Sequence, residues 1–208
     1  MPLTLDESGE RDILIVSGLP RSGTSLMMRM LEVAGLDLLV DNLRAADVSN
    51  PNGYYEFEPV KSLKDGDAGW LAEAQGRVVK IVSPLLAYLP PVYRYKVIFM
   101  QRDLREVLAS QTKMLDGMHK ASSAEQDRML EKAFSDHLSK VGNWAAQQPN
   151  LSVLYLSYNR LFSEPERILS ELADFLGRPL DTASMLTVID PKLYRNRQAV
   201  LQPAMQRG

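Results

Sequence analysis

Cysteine is absent from this 208-residue chain, which excludes disulfides, thiolate metal sites and a cysteine nucleophile, and leaves the compartment open. Histidine is scarce: His119 and His137 are the only two. An excess of one charge is missing too, with 24 Lys and Arg against 26 Asp and Glu, a formal net charge of −2. No global basic field therefore points to nucleic acid, and any anion site must be built from locally clustered Arg and Lys. No apolar run approaches the roughly eighteen residues of a membrane span. The opening MPLTLDESGERD is polar and acidic and does not read as a signal peptide. A soluble cytoplasmic protein is the expectation.

What is present suits one globular domain over residues 1–208, with 45% hydrophobic residues to fill a core. DILIVS (12–17), VVKIVS (78–83), KVIFMQ (96–101) and LSVLYLS (151–157) are short apolar runs of the buried-strand kind, and LDLLV (36–40) is a weaker one. Helical patterns lie between them. TSLMMRMLEVAG (24–35) ends at Gly35, DLREVLASQTKML (103–115) opens on Asp103 as N-cap, and residues 122–148 are long and amphipathic. SEPERILSELADFLG (163–177) has Ser163 and Glu166 at capping-box spacing and ends at Gly177. The alternation predicts an α/β fold, a parallel sheet of about five strands flanked by helices. Residues 49–69 are rich in Gly, Pro, Asn and Asp and read as a functional loop excursion.

The segment GLPRSGTS (18–25) joins the first strand to the first helix. It has almost the spacing of the nucleotide-hydrolase phosphate loop, G-x-x-x-x-G-K-[ST], but Thr24 stands where the lysine belongs and the base has moved to Arg21. Glycine-rich backbone and a helix start make an anion cradle without any side chain. Thr24 and Ser25 add hydroxyls, and Arg21 adds a charged fork. Nothing is placed to reach a γ-phosphate as that lysine does. Arg102 leaves another strand end and Ser110 lies eight residues on, at the same edge of a parallel sheet, so the two can close on a second phosphate. Arg102 equally suits an ordinary strand-end arginine paired with Asp103 or Glu106.

These residues carry a resemblance. GLPRSGTSLMMRML is similar to the 5'-phosphosulfate loop of the sulfotransferase family, P-[KR]-S-G-T-[TS]. RDLREVLAS resembles that family's 3'-phosphate motif R-D-P-R-[DE]-V-[LV]-x-S, with Leu104 in place of the proline. VVKIVSPLLAYLPP (78–91) and LSYNRLFSEPERILSELADFLG (156–177) match further family segments, in the right order. The resemblance implies a phosphate-loop-like sulfotransferase fold. It also implies transfer of a sulfuryl group from 3'-phosphoadenosine 5'-phosphosulfate (PAPS), leaving PAP, with no metal, to a small-molecule or glycan acceptor. It assigns the 5'-phosphosulfate to Arg21, Ser22, Gly23, Thr24 and Ser25, the 3'-phosphate to Arg102 and Ser110, and the neighbourhood of the adenine to Tyr158.

Cytosolic members of the family use a histidine just after the third strand, where this chain reads KIVSPL, and His119 and His137 read as surface residues of the long helical region. Other members use a glutamate. NPNGYYE resembles their pattern and points to Glu56 as base; Glu58 shares its side if the segment is extended. Lys80 is placed to stabilise the leaving bridging oxygen, or stands as a strand-edge lysine in a surface ion pair. The family's basic R-K-G lid is missing, and Lys192, Arg195 and Arg197 stand as its substitute over the 3'-phosphate. Two rivals follow from the same residues: a phosphate-loop kinase-like enzyme, which wants a lysine at 24, and a non-catalytic PAP-binding protein, which needs no base.

Overall fold

The computed structural model describes residues 12–41, 43, 53–116 and 124–190, with the side chains of 112–116 and 124 left out. His119, Lys192, Arg195 and Arg197 lie outside the described residues.

Four strands form one parallel sheet in the order β2-β1-β3-β4: β1 Ile13–Gly18, β2 Val78–Lys80, β3 Tyr95–Gln101 and β4 Leu151–Ser157. β1 lies inside the sheet and all six of its residues are buried, which is why its sequence is apolar throughout rather than alternating. The run 36–40 does not become a fifth strand. Leu38 makes an isolated parallel bridge to Val78, and the chain then turns away. Asp37 stays at the surface in an ion pair with Arg77 Nε (3.0 Å), and the Leu38 carbonyl, which points away from β2, accepts Arg77 Nη2 (2.9 Å).

One face of the sheet is covered by α1 Thr24–Val33, α6 Pro165–Leu176 and α7 Thr182–Thr187, through Leu14, Val16, Met27, Leu31, Leu172 and Met185. The other face, built on Ile15, Val79, Val97 and Phe99, carries α2 Leu71–Ala74 and the long α4 Ala124–Ala145, which contributes Leu138, Val141 and Trp144. Among the described residues the remaining α-helices are α3 Leu104–Asp116 and the single turn α5 Arg160–Ser163. The caps at Asp103, Gly35 and Gly177 form as expected: Asp103 Oδ1 accepts the Arg105 amide at 2.9 Å, and both glycines have positive φ, 83° and 67°. The Ser163–Glu166 capping box does not form. Ser163 ends α5, Glu164 takes the cap position of α6 without a side-chain bond, and the Glu164 carboxylate is engaged with Arg160 and Arg167.

The chain leaves β1 for β2 on one side and then returns to β3 on the other. The connections after β1 and β3 therefore diverge, and a crevice opens between their carboxyl ends, the usual ligand position in a doubly wound sheet.

Candidate active site

At the crevice, β1 and β3 stay paired up to the last residue of β1, Gly18 beside Met100. Gly18 has φ 146°, and a Cβ there would lie 2.6 Å from the Met100 carbonyl oxygen and 2.4 Å from Ser22 Oγ. The turn that follows holds Arg21 at φ 72°, a left-handed conformation that strains a side-chain-bearing residue and is found mostly at functional sites. Gly23 then opens α1 at φ 100°, where a Cβ would fall 2.2 Å from the Tyr158 ring. α1 has no side-chain cap and no acidic residue in its first turn, so its positive end faces the crevice uncompensated by side chains of its own.

Arg21 and Arg102 meet here. Arg21 Nε donates to Ser110 Oγ at 2.9 Å, and Arg102 Nη1 donates to the Arg21 carbonyl at 3.2 Å. Arg102 Nε donates to Glu106 Oε2 at 3.0 Å, both side chains being almost fully buried, and its guanidinium carbon lies 4.3 Å from the centre of the Tyr158 ring. Arg102 is thus paired with Glu106 and lies beside Arg21, which in turn bonds Ser110. Tyr158 is 5% exposed and packs edge-on against Phe162, so its ring serves as floor for both Gly23 and Arg102. Ser22, Leu19, Met100, Arg102, Val107 and Leu138 line a cavity of about 160 Å³. Ser22 is 1% exposed, and its hydroxyl has no hydrogen-bond partner among the described residues.

A second cluster joins the edge strand to the loop after residue 53. Lys80 is buried, and its ammonium donates to the Tyr54 carbonyl, which also accepts Ser25 Oγ at 3.4 Å. It does not lie at the open surface. The loop is turned by Tyr55 at φ 52°, whose hydroxyl donates to Glu32 at 2.7 Å; burial and that carboxylate push its pKa up to about 12. Phe57, between Glu56 and Glu58, is extended at φ −133° and ψ 108°. Glu58 is exposed, begins a short 3-10 helix and pairs with Lys61. Glu56 is half-buried, and its carbonyl accepts the Asp41 amide at 3.1 Å.

One residue went unrecognised in the sequence. His137 is half-buried, not on the open surface, and its Nε2 lies 2.9 Å from Ser83 Oγ, a hydroxyl 1% exposed at the end of the KIVS segment. A period-3.6 pattern places residue 137 beside Leu138 and Val141 but does not say which segment the helix will cover. Burial, then the Lys140 charge, hold its pKa below the ordinary value of 6.5. The folded chain thus favours the neutral ring more than the unfolded chain does, so His137 carries no charging penalty above about pH 6.5, and stability declines as the pH falls below it. The thermal midpoint of the wild type is expected to drop between about pH 6.5 and 5 by more than that of His137→Gln. Parallel curves would mean that the imidazole does not titrate on unfolding.

Among the described residues no helix is long and apolar enough to cross a membrane. Comparison with known proteins agrees with the geometry. Sulfotransferase 1A1 of the dog, Canis lupus familiaris, is 27% identical over 207 residues, covering 91% of this chain and 67% of the relative. The fold matches that of mouse sulfotransferase SULT7A1, solved in complex with PAP, at a TM-score of 0.55 with 14% identity, over 90% of this chain and 68% of that one. It also matches the sulfotransferase domain of the Synechococcus PCC 7002 olefin synthase at a TM-score of 0.50 with 15% identity, over 95% and 87%. The sulfotransferase domain family is matched over residues 10–198, and this chain belongs to that family.

Proposed function

We propose that the protein is a soluble cytoplasmic enzyme, one domain over residues 1–208, that transfers a sulfuryl group from PAPS to a hydroxyl or amine of a small-molecule or glycan acceptor. The observation that carries this reading is the Ser22 hydroxyl, buried without a partner among the described residues at the wall of a cavity that Arg102 also lines. A buried hydroxyl left unbonded costs on the order of 1–3 kcal/mol. A phosphate oxygen supplies the missing acceptor in a place where two arginines already converge.

In this reading Arg21, Ser22, Gly23, Thr24 and Ser25 hold the 5'-phosphosulfate. Arg102 and Ser110 hold the 3'-phosphate, and Tyr158 supports the pocket near the adenine. Arg195 and Arg197, with Lys192, outside the described residues, are assigned by charge to the 3'-phosphate as well. PAPS supplies an activated sulfuryl group on a phosphate that leaves as PAP. The chain positions that group, removes a proton from the acceptor and neutralises charge on the leaving side. Lys80 is fixed by the Tyr54 carbonyl close to Ser25, where it meets charge developing on the bridging oxygen. Glu56, two residues beyond Tyr54, takes the acceptor proton.

Incubation with sulfur-35-labelled PAPS and a panel of phenols, alcohols and sugars is expected to give labelled product and PAP. Glu56→Gln is expected to lower kcat by about a hundredfold, the ordinary worth of a general base, with the KM for PAPS unchanged. Full activity in that variant removes Glu56 from the role. Absence of product with every acceptor, together with tight PAP binding, would favour a donor-binding protein without catalysis.

A further inference from the structure

Glu106 is a carboxylate 3% exposed, one helical turn from Arg102, and it sits beside the cation assigned to bind an anion. By charge alone it opposes phosphate binding. Its contacts suggest a different use. Oε2 accepts Arg102 Nε at 3.0 Å, and Oε1 accepts Asn159 Nδ2 at 3.1 Å. Three segments converge on it: the end of β3, the first turn of α3, and the turn after β4. The Tyr158 ring supports the guanidinium from one side, and the Arg21 carbonyl accepts Nη1.

A guanidinium is planar and has five N–H donors in a fixed fork. Stacking on Tyr158 sets the tilt of that plane. Two hydrogen bonds at different edges, to Glu106 and to the Arg21 carbonyl, set its rotation within the plane. An arginine held this way loses little side-chain freedom when an anion arrives, so less of the contact energy goes into ordering it. We propose that Glu106, braced by Asn159, is a positioning residue that orients Arg102 to recognise the 3'-phosphate of the donor, and so sets the preference for a 3'-phosphorylated adenine nucleotide. This rests on the donor reading given above.

The proposal predicts the opposite sign from a simple charge effect. Calorimetric titration with PAP and with adenosine 5'-monophosphate, which lacks the 3'-phosphate, separates the two. The wild type is expected to bind PAP the more tightly. Glu106→Ala is expected to weaken PAP binding by about tenfold or more, the worth of one charge-assisted hydrogen bond, while the monophosphate changes by less than about twofold. Asn159→Ala removes only the brace and is expected to cost about threefold on PAP alone. Glu106→Gln keeps an acceptor for Arg102 Nε and is expected to restore most of the preference, although it removes the same charge as alanine.

A purely structural role would move both ligands together. PAP binding unchanged or tighter in Glu106→Ala, while Arg102→Ala abolishes the preference, overturns the positioning role and leaves the donor reading intact. A wild type that does not distinguish PAP from the monophosphate overturns both. If Glu106→Ala does not fold, Asn159→Ala and Glu106→Gln decide the matter: PAP affinity at the wild-type level in the first, or a loss in the second as large as that of Arg102→Ala, is the contrary result.

Discussion

Lys80→Met is expected to lower kcat by about 10²–10³-fold, with little change in the KM for PAPS and little change in thermal stability. The size is that of removing one preorganised donor from a site where charge develops, about 2.7–4 kcal/mol of transition-state stabilisation. Lys80 ends β2, the edge strand, and is 9% exposed. Its ammonium is already held by the Tyr54 carbonyl, so it needs no reorganisation when the reaction begins. Methionine keeps the length and packing of the stem and removes only the charge and its donors. The Tyr54 carbonyl keeps the Ser25 hydroxyl as a partner, which limits the structural cost. Steady-state kinetics with the denaturation midpoint of the same sample checks this. A loss carried by KM would mean that Lys80 binds the donor in its ground state.

Gly23→Ala is expected to destabilise the fold and abolish donor binding together. At φ 100° alanine is strained, which costs on the order of 1–3 kcal/mol. Its Cβ would also lie 2.2 Å from Tyr158 Cδ2 and 2.8 Å from Cε2, so the ring must move. That ring is 5% exposed and wedged against Phe162, and overpacking of this kind costs a further ~1–3 kcal/mol. The functional loss follows from the same displacement, because the face that supports Arg102 moves with the ring. Gly35→Ala is the control. Gly35 has φ 83°, but nothing lies within 4 Å of the added Cβ, so its cost is strain alone, about 1 kcal/mol, with donor binding kept. Urea denaturation and PAP titration of the two variants give the comparison. Equal effects would show that the contact with Tyr158 does not matter.

The central strands were legible because burial on both faces leaves an unmistakable apolar run, as in ILIVSG of β1. The loop after β1 was legible because its glycines answer to backbone geometry: positive φ at Gly18 and Gly23, with a neighbour where each Cβ would be. The Arg102–Ser110 spacing brought both residues to the crevice because an arginine at a strand end and a serine in the following helix keep a fixed relation in a βα unit. Residues 36–40 misled because apolar character does not fix how far a segment stays paired, and here the pairing with β2 stops at the single bridge of Leu38 to Val78. Glu56 and Glu58 differ in exposure, and Glu58 pairs with Lys61, neither of which alternation along the chain encodes. His137 was hidden for a different reason. Its partner Ser83 is 54 residues away, and nothing local encodes which face of the sheet a long helix will cover.

Calorimetric titration of the wild-type chain with PAP, set beside ATP with magnesium under identical salt, tests most directly whether two anion cradles at one sheet edge serve a bisphosphorylated adenosine. The account predicts a one-to-one complex with PAP of micromolar or better affinity, and binding of ATP at least about tenfold weaker. ATP with magnesium binding as tightly as PAP, or PAP failing to bind, would contradict it.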